Sequence, residues 1–454
     1  MLAERLSAYL RYLTGLALQP ANRWDGFDLS ASDARSSSLR SQITFVGCAL
    51  ATLACHPSAG HEESALALNA LDALIDRMIQ RRVWATWATE TERASRKPDP
   101  VDAGYGTYSG ALGMLFGLQA ALGGQVRYVD DPFILRWSTD VRASYTAGEL
   151  IEALWRHVRA SPDGAIFCEG ETTSASAMAA VLWALRLHDR ALGSDYGAAG
   201  ATWMTTLTER MTIRGPRLPG RGVFAGSYNL RSRRASFAGD SLEDAWALAL
   251  IAPLDRDLAA RLAERHWSTL PKICARGEAL TVAFSYLLAV ELGDTVQAAQ
   301  LQSYAEQRLG PVEDAAAGRR YAGAPAAPWV TALYVIGEAG GMAHLLTLRP
   351  PPVPPAEEAT GEEARRRGGD EARRRGGEEA LVSPPRLLVS SSHRLIVEPR
   401  CHHQGTSGRS ACLQEIESAD TPAAGKGRAT RLGVSTLLSA RSIKRNSRLP
   451  PLTQ

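Results

Sequence analysis

Apolar residues recur every three or four positions along most of the first 350 residues, which is the pattern of α-helices with one buried face. One stretch places them at Leu150, Ile151, Leu154, Trp155 and Val158. Strand-like alternation of apolar and polar residues is scarce. This part of the chain is therefore predicted to be all-α.

The pattern divides into twelve predicted helices, with glycine- and proline-rich breaks between many of them. Several are apolar or small on nearly all sides, as helices of an inner ring would be. Twelve helices pair into six hairpins, so we predict an (α/α)6 barrel, a toroid in which chemistry lies at the starts of the inner helices. An α-solenoid is the alternative, although no repeated sequence period supports it. The predicted helices lie near residues 1–17, 35–55, 63–81, 108–123, 147–160, 174–192, 198–211, 241–252, 256–267, 279–292, 295–308 and 328–346.

The aromatic residues mark a domain boundary, because the 10 Trp, 12 Tyr and 8 Phe all lie before residue 351. Residues 351–454 instead contain 17 basic and 12 acidic residues and 10 of the 24 prolines. They also repeat the string Glu-Ala-Arg-Arg-Arg-Gly-Gly at 363–369 and 371–377. Such a segment buries too little apolar surface to fold. We predict a barrel over 1–350 and a disordered tail over 351–454.

Charge, cysteine spacing and missing motifs exclude several classes of function. A net charge of +3 on 454 residues provides no electrostatic footprint for nucleic acid. The six cysteines form no CxxC pair, so neither a disulfide framework nor a zinc site is indicated, and a reducing, cytoplasmic location is expected. No apolar run reaches the length of about 18 residues that a membrane span needs. No P-loop, GxGxxG, HExxH or GxSxG string occurs, so we expect neither a cofactor nor a catalytic metal.

Residues 167–173 form the most chemically reactive stretch of the chain. Cys168 and two carboxylates, Glu169 and Glu171, precede a predicted helix here. A thiol at a helix start can have a lowered pKa, and a carboxyl group in an apolar cavity a raised one, so the two could exchange protons with a substrate. A buried structural cysteine beside a solvated glutamate pair accounts for the sequence equally well.

Three other stretches have a structural explanation beside the functional one. Trp84 and Trp87 stand three residues apart at a helix end and are explained by core packing. Tyr108 lies in a glycine- and tyrosine-rich loop that could present a phenol to a cavity, or simply form a turn and helix cap. Residues 239–246 place acids at a helix start, where capping and the helix dipole favour them.

Several strings, in order along residues 5–345, resemble those of the linalool dehydratase/isomerase family. The family's Cys-Glu loop is matched by Cys168 and Glu169, and the end of its inner helix by residues 185–196. Its Arg-Val-Trp-x-x-Trp string resembles residues 82–87, and its Thr-Ala-Trp-Thr-Leu-Ala helix resembles residues 244–249. Two further family strings are similar to segments of this chain, namely Tyr108-Ser109-Gly110-Ala111 and the run from Gly117-Leu118 to Arg127-Tyr128.

The resemblance implies an (α/α)6 barrel that adds, removes or shifts the hydroxyl group of a terpenoid or other prenylated alcohol without a cofactor. It implies Cys168 and Glu169 as proton-transfer groups and Tyr108 as the partner of the substrate hydroxyl. Phe45, Trp84 and Trp246 would form the apolar wall of the pocket. Cys48 and Glu171 lie near these positions and could replace acid/base side chains that the family has and this chain lacks.

The chain also departs from the family pattern. The position of the family's histidine is occupied by Ala111, and that of its second active-site cysteine falls on Ala177-Met178. A tyrosine of a later family helix falls near Leu242, and two early tyrosines fall on Val46 and Cys48. A divergent member with a substrate other than linalool is therefore expected. Two alternatives are a non-catalytic barrel that binds or scaffolds, and a carbohydrate-active enzyme that uses a carboxylate pair from Glu169, Glu171 and Asp244. A homo-oligomer is left open.

Overall fold

Fourteen α-helices make up most of the part of the chain that the structure describes. The structure is a computed structural model that describes residues 2–29, 38–85, 99–123, 126–168, 170–213, 222–236, 240–324 and 327–348. All of these residues belong to one unit, Met1–Val389. The predicted tail, 351–454, lies outside the described residues.

The described residues are mostly helical, with little sheet, so the all-α prediction is confirmed in part. The helices are α1 Glu4–Ala17, α2 Ser38–Ala54, α3 His61–Met78, α4 Arg81–Trp84, α5 Gly106–Ala121, α6 Ala147–Ala160, α7 Ala175–Leu192, α8 Gly200–Thr206, α9 Ser241–Ile251, α10 Arg256–Trp267, α11 Leu270–Arg276, α12 Ala279–Leu292, α13 Thr295–Arg308 and α14 Ala327–Glu338. Each of the twelve predicted helices has a counterpart. The short helices α4 and α11 are additional.

The last predicted helix is shorter than expected. The sequence pattern predicts that it continues to residue 346, but α14 ends at Glu338. Gly340 and Gly341 follow with φ of +100° and +89°, a left-handed backbone that stops a right-handed helix. A separate 3₁₀ turn, Ala343–Leu346, comes after them.

Short antiparallel strands, which the sequence did not predict, connect some of the helices. They are β1 Phe133–Arg136, β2 Arg142–Tyr145, β3 Thr172–Thr173, β4 Ser227–Asn229, β5 Arg234–Ser236, β6 Pro311–Asp314 and β7 Gly318–Tyr321. They form the sheets β1-β2, β3-β4-β5 and β6-β7. In the middle sheet Thr172 is opposite Asn229 and Thr173 opposite Tyr228, which anchors the loop after Cys168.

Six helices contact one another in a continuous sequence. α2 packs on α5, α5 on α7, α7 on α9, α9 on α12, α12 on α14, and α14 returns to α2. The other long helices lie against these six: α1 and α3 against α2, α6 against α5 and α7, α10 against α9, and α13 against α12. The core includes α5 and α12, whose residues are buried on almost every side.

A charged network joins the first helix of the described residues to the last two. Arg5 on α1 donates to Glu338 on α14 at 2.6 Å and to Glu306 on α13 at 2.6 Å. Arg319 on β7 donates to Glu306 at 2.7 Å. The hydroxyl of Tyr9 on α1 donates to Glu338 at 3.1 Å, and burial raises the pKa of Tyr9 to about 12. The neutral phenol thus donates to the carboxylate, and the network joins α1 to α13, β7 and α14.

The contact between α5 and α7 depends on three glycines. A Cβ atom at Gly110 would lie 2.9 Å from Val181 Cγ2 and 3.1 Å from the Val181 backbone nitrogen. A Cβ at Gly113 would lie 2.9 Å from Ala184 Cβ, and one at Gly117 would lie 2.5 Å from Leu187 Cβ. These spaces are smaller than carbon contacts allow, so any side chain there pushes the two helices apart.

We expect Gly110→Ala to lower the free energy of unfolding by about 1–3 kcal/mol, because the added methyl group meets the backbone of α7. Gly15 on α1 is an exposed helical glycine with nothing within 4 Å of an added Cβ. Gly15→Ala should therefore raise stability by about 1 kcal/mol through helix propensity alone. Urea denaturation followed by circular dichroism checks both variants, and equal effects of the two substitutions would contradict the close-contact explanation.

Candidate functional site

Cys168 is held between the starts of α5 and α7 by backbone hydrogen bonds. The Gly106 N–H donates to the Phe167 carbonyl at 2.7 Å, and the Cys168 N–H donates to the Thr172 carbonyl at 2.8 Å. The Thr107 hydroxyl donates to the Cys168 carbonyl at 3.0 Å. The loop that carries the thiol is therefore anchored on both sides.

The Cys168 thiol is buried beside hydroxyl and backbone groups. The residue is 5% exposed, and its Sγ lies 3.1 Å from Thr173 Oγ1. Burial raises the pKa of the Cys168 thiol, although hydrogen bonds with Thr173, Thr107 and the Ser174 backbone oppose this rise. The expectation of a lowered pKa at a helix start is wrong here, because desolvation outweighs the hydrogen bonds. The group is a protonated thiol at neutral pH and can give a proton.

Glu243 is a functional candidate that the sequence analysis missed. It lies in the first turn of α9 and reaches the start of α7, where Oε1 accepts the Ser176 N–H at 2.8 Å and Oε2 accepts the Ser176 hydroxyl at 2.7 Å. Burial raises the pKa of Glu243, and a negative charge on Glu243 raises the pKa of Cys168. The two groups are thus electrostatically coupled, although burial affects the thiol pKa more than the Glu243 charge does.

The other acids at the start of α9 have structural partners. Asp240 caps α9 by accepting the Glu243 N–H at 2.7 Å. Asp244 is buried, and its two oxygens accept the Val223 and Phe224 N–H groups at 2.7 and 2.8 Å. The predicted capping role of this stretch is therefore correct for Asp240, whereas Asp244 anchors the loop before β4. Glu243 carries the same carboxylate group as its acidic neighbours and differs from them in what that group contacts.

Four aromatic rings, from Phe45, Trp246, Phe284 and Trp329, form a cluster that we call the aromatic wall. Phe45 stacks on Trp329 with ring centroids 5.8 Å apart, and Trp246 stacks on Phe284 at 5.4 Å. Trp246 and Trp329 meet edge to face at 5.1 Å. Their indole N–H groups are buried and have no hydrogen-bond acceptor among the described residues. A ligand oxygen could accept from them.

The wall brings together two of the predicted pocket residues. Phe45 and Trp246 are both predicted wall residues, and they contact each other with ring centroids 6.0 Å apart. Phe284 and Trp329 are not singled out by the sequence, since nothing in it shows which helices meet α2. Trp246 follows Glu243 by three residues on α9, so the acid and the indole lie on adjacent parts of one helix face.

The remaining predicted residues lie in different surroundings. Glu169 falls outside the described residues. Tyr108 is fully buried, its hydroxyl donates to the Met78 carbonyl at 3.4 Å, and burial raises its pKa. Trp84 is buried too, with its ring centroid 5.9 Å from that of Trp137. Neither ring belongs to the aromatic wall.

The two predicted substitutes for polar groups differ from each other. Cys48 is fully buried one helical turn after Phe45 on α2, and burial raises its pKa to about 12. Glu171 is 40% exposed and pairs with Arg231 at 2.7 Å. The ion pair makes Glu171 less suitable than Glu243 for proton transfer.

Other features of the described residues contribute less to a site. A cleft of about 630 Å³ is lined by polar groups of Cys274, Arg276, Tyr304 and Arg308, and this lining does not suit an apolar alcohol. No three His, Cys, Asp or Glu side chains in the described ranges are arranged to hold a metal ion. None of the helices described is long and apolar enough to cross a membrane.

Residues 40–271, just over half of the chain, match the family model described as linalool dehydratase/isomerase. The matched segment includes Cys168, Glu243 and the Phe45 and Trp246 rings of the aromatic wall. It ends within α11, before Phe284 and Trp329. The resemblance found in the sequence is thereby confirmed at the level of the family.

The raised pKa of Asp244 generates a testable pH dependence. Burial raises the pKa of Asp244 to about 7, while an unfolded aspartate titrates near 3.9. The folded state therefore binds more protons between these values, and stability falls as pH rises through them. The amide introduced by Asp244→Asn cannot ionise. From pH 5 to pH 8, the free energy of unfolding of wild type should therefore fall by about 2 kcal/mol relative to that of Asp244→Asn.

Urea denaturation at the two pH values measures this change. Asp257→Asn, at an exposed position in the first turn of α10, serves as the matched control and should show no such change. A wild-type advantage over Asp244→Asn that grows with pH would contradict the assignment.

Proposed function

Because the chain belongs to the linalool dehydratase/isomerase family, we propose that it is a cofactor-independent lyase or isomerase of a terpenoid or other prenylated alcohol. The reaction would be loss or addition of water, or an allylic shift of the hydroxyl group. The observation that carries the proposal is the Cys168 thiol, buried, protonated and electrostatically coupled to Glu243 on the helix that also bears Trp246 of the aromatic wall.

We further infer that the described helices form an (α/α)6 toroid. Helices α2, α5, α7, α9, α12 and α14 contact one another in this order, and α14 also contacts α2. These contacts support a closed inner ring. The outer layer would consist of α1, α3, α6, α8, α10 and α13. Cys168 and Glu243 lie at the starts of two neighbouring inner helices, α7 and α9, where a toroid concentrates chemistry.

In this proposal the thiol assists departure of the hydroxyl group. Cys168 gives its proton to the leaving oxygen, and water and an allylic cation result. The faces of the aromatic wall stabilise the cation through their π electrons, and the dry surroundings limit its recapture by water. Glu169 as a second proton-transfer group and Tyr108 as hydroxyl partner stay predictions.

A non-catalytic barrel is the second candidate, and one observation favours it. The four rings of the aromatic wall contact one another, so part of the space between the inner helices is filled by side chains. The family's histidine and second cysteine are also replaced by Ala111 and Ala177. The carbohydrate-active alternative has less support, because Asp244 is held by two backbone N–H groups and Glu171 by Arg231.

The proposed reaction predicts that Cys168→Ala lowers conversion at least about 100-fold, since a general acid contributes that much or more. The full chain is incubated with a panel of allylic terpenoid alcohols and prenylated phenols, and mass spectrometry detects products that differ by one water or by isomerisation. Cys274→Ala, a half-buried thiol on α11, is the control and should retain activity. Conversion that survives in Cys168→Ala would refute the assignment, and no conversion by wild type would favour the non-catalytic barrel.

A further inference from the structure

Cys168 and Glu243 are linked through the short segment that starts α7. The Cys168 Sγ contacts Thr173 Oγ1 at 3.1 Å, and the next residue, Ser174, places its hydroxyl 3.2 Å from that of Ser176. The Ser176 hydroxyl donates to Glu243 Oε2 at 2.7 Å. Three residues that carry hydroxyl groups, Thr173, Ser174 and Ser176, thus lie on the short segment that contacts the thiol at one end and the carboxylate at the other. Ser176 and Thr173 are almost fully buried, which keeps bulk water away from these bonds.

The bonds around Glu243 favour its ionised form over a neutral one. Both carboxylate oxygens accept hydrogen bonds from Ser176, one from the N–H and one from the hydroxyl. The carboxylate also lies in the first turn of α9 and at the start of α7, where two helix dipoles favour negative charge. The thiol has no cationic partner that would stabilise a thiolate among its described contacts. One acid and one base therefore face the same site.

We propose that Glu243 is the proton-accepting partner of Cys168. This inference rests on the proposed lyase or isomerase function. In dehydration the Cys168 S–H bond breaks, and its proton joins the departing hydroxyl group. The C–O bond cleaves and its electron pair stays on the oxygen. Water, an allylic cation and the Cys168 thiolate result. Glu243 then takes a proton from the carbon next to the cation, and the C–H electron pair becomes the new double bond. The thiolate and the carboxylic acid that result exchange one proton, which restores both groups.

Other acids nearby are less suited to this role. Asp240 is exposed and caps α9, both Asp244 oxygens hold the loop before β4, and Glu171 is paired with Arg231. Glu278, from the start of α12, accepts from the Ser241 hydroxyl at 2.8 Å and pairs with Arg276. Among these described carboxylates, Glu243 is the one that accepts both the N–H and the hydroxyl of a single residue, Ser176, at the start of α7.

The pH titration of the Cys168 thiol tests the coupling without any substrate or reagent. The cysteine β-carbons of the full chain are labelled with ¹³C, and NMR follows the Cys168 signal, assigned by its absence in Cys168→Ala, as the pH is raised from 7 to 11. Removing the negative charge in Glu243→Gln should lower the thiol pKa, so the titration midpoint should lie at least about 0.5 pH unit below that of wild type. Glu243→Asp, which keeps the charge, and Asp257→Asn, which removes an exposed charge from α10, should both match wild type.

Thermal unfolding and the Cys274 signal show whether each variant is folded. If Glu243→Gln is not folded, the Glu243→Asp titration decides, and a lowered Cys168 midpoint there overturns the proposal. An unchanged Cys168 midpoint in folded Glu243→Gln also overturns it.

Turnover separates this inference from the proposed function. Glu243→Gln should lose at least about 100-fold of the conversion of allylic alcohols, as expected for a lost general base. Asp257→Asn, an exposed position on α10, should retain it. A wild type that converts an alcohol and a Glu243→Gln variant that converts it equally well would overturn the role of Glu243 and leave the proposed function standing. A wild type that converts none would refute the function, while the lowered Cys168 midpoint in Glu243→Gln would still support the pairing of the two groups.

Discussion

The close approach of α5 and α7 is the constraint on which the rest of the candidate site depends. Gly110, Gly113 and Gly117 give α5 a face without side chains, and residues of α7 fill the space. The same approach brings the start of α5 against the loop before α7, where a Cβ at Gly106 would lie 2.6 Å from Ile166. A bulkier α5 would separate the Gly106 N–H from the Phe167 carbonyl and release the loop that carries Cys168.

Within that frame, burial determines the chemistry of the two central groups. A thiol at an open helix start ionises readily, but Cys168 is enclosed, so the neutral thiol prevails. Glu243 keeps hydrogen bonds that suit a carboxylate while its pKa is raised by burial. Two groups that would repel each other if both were charged share a site most easily as one acid and one base. The arrangement resembles what proton transfer to and from an apolar alcohol requires.

The sequence predicted the helices well because each buries a face with a period of 3.6 residues, and this pattern survives without knowledge of neighbours. It did not predict β3, which has two residues, because so short a strand carries no alternation. Cys168 and Phe45 could be found by residue type and family resemblance. Glu243 could not be separated from Asp240 and Asp244, since capping and catalytic acids look alike at a helix start. The surroundings of Tyr108 depend on Met78, a tertiary contact that no local pattern encodes.

A crystal structure of the full-length Cys168→Ala variant with a bound ten-carbon allylic alcohol tests the central claim most directly. The account predicts that the hydrocarbon lies against the aromatic wall and that the hydroxyl oxygen lies near residue 168. The carbon that loses a proton should lie within about 3.5 Å of a Glu243 oxygen, as a reactive geometry requires. An alcohol bound away from these residues would contradict the account. A space between α2, α9, α12 and α14 that is closed by the aromatic wall, with no alcohol in it, would contradict it too.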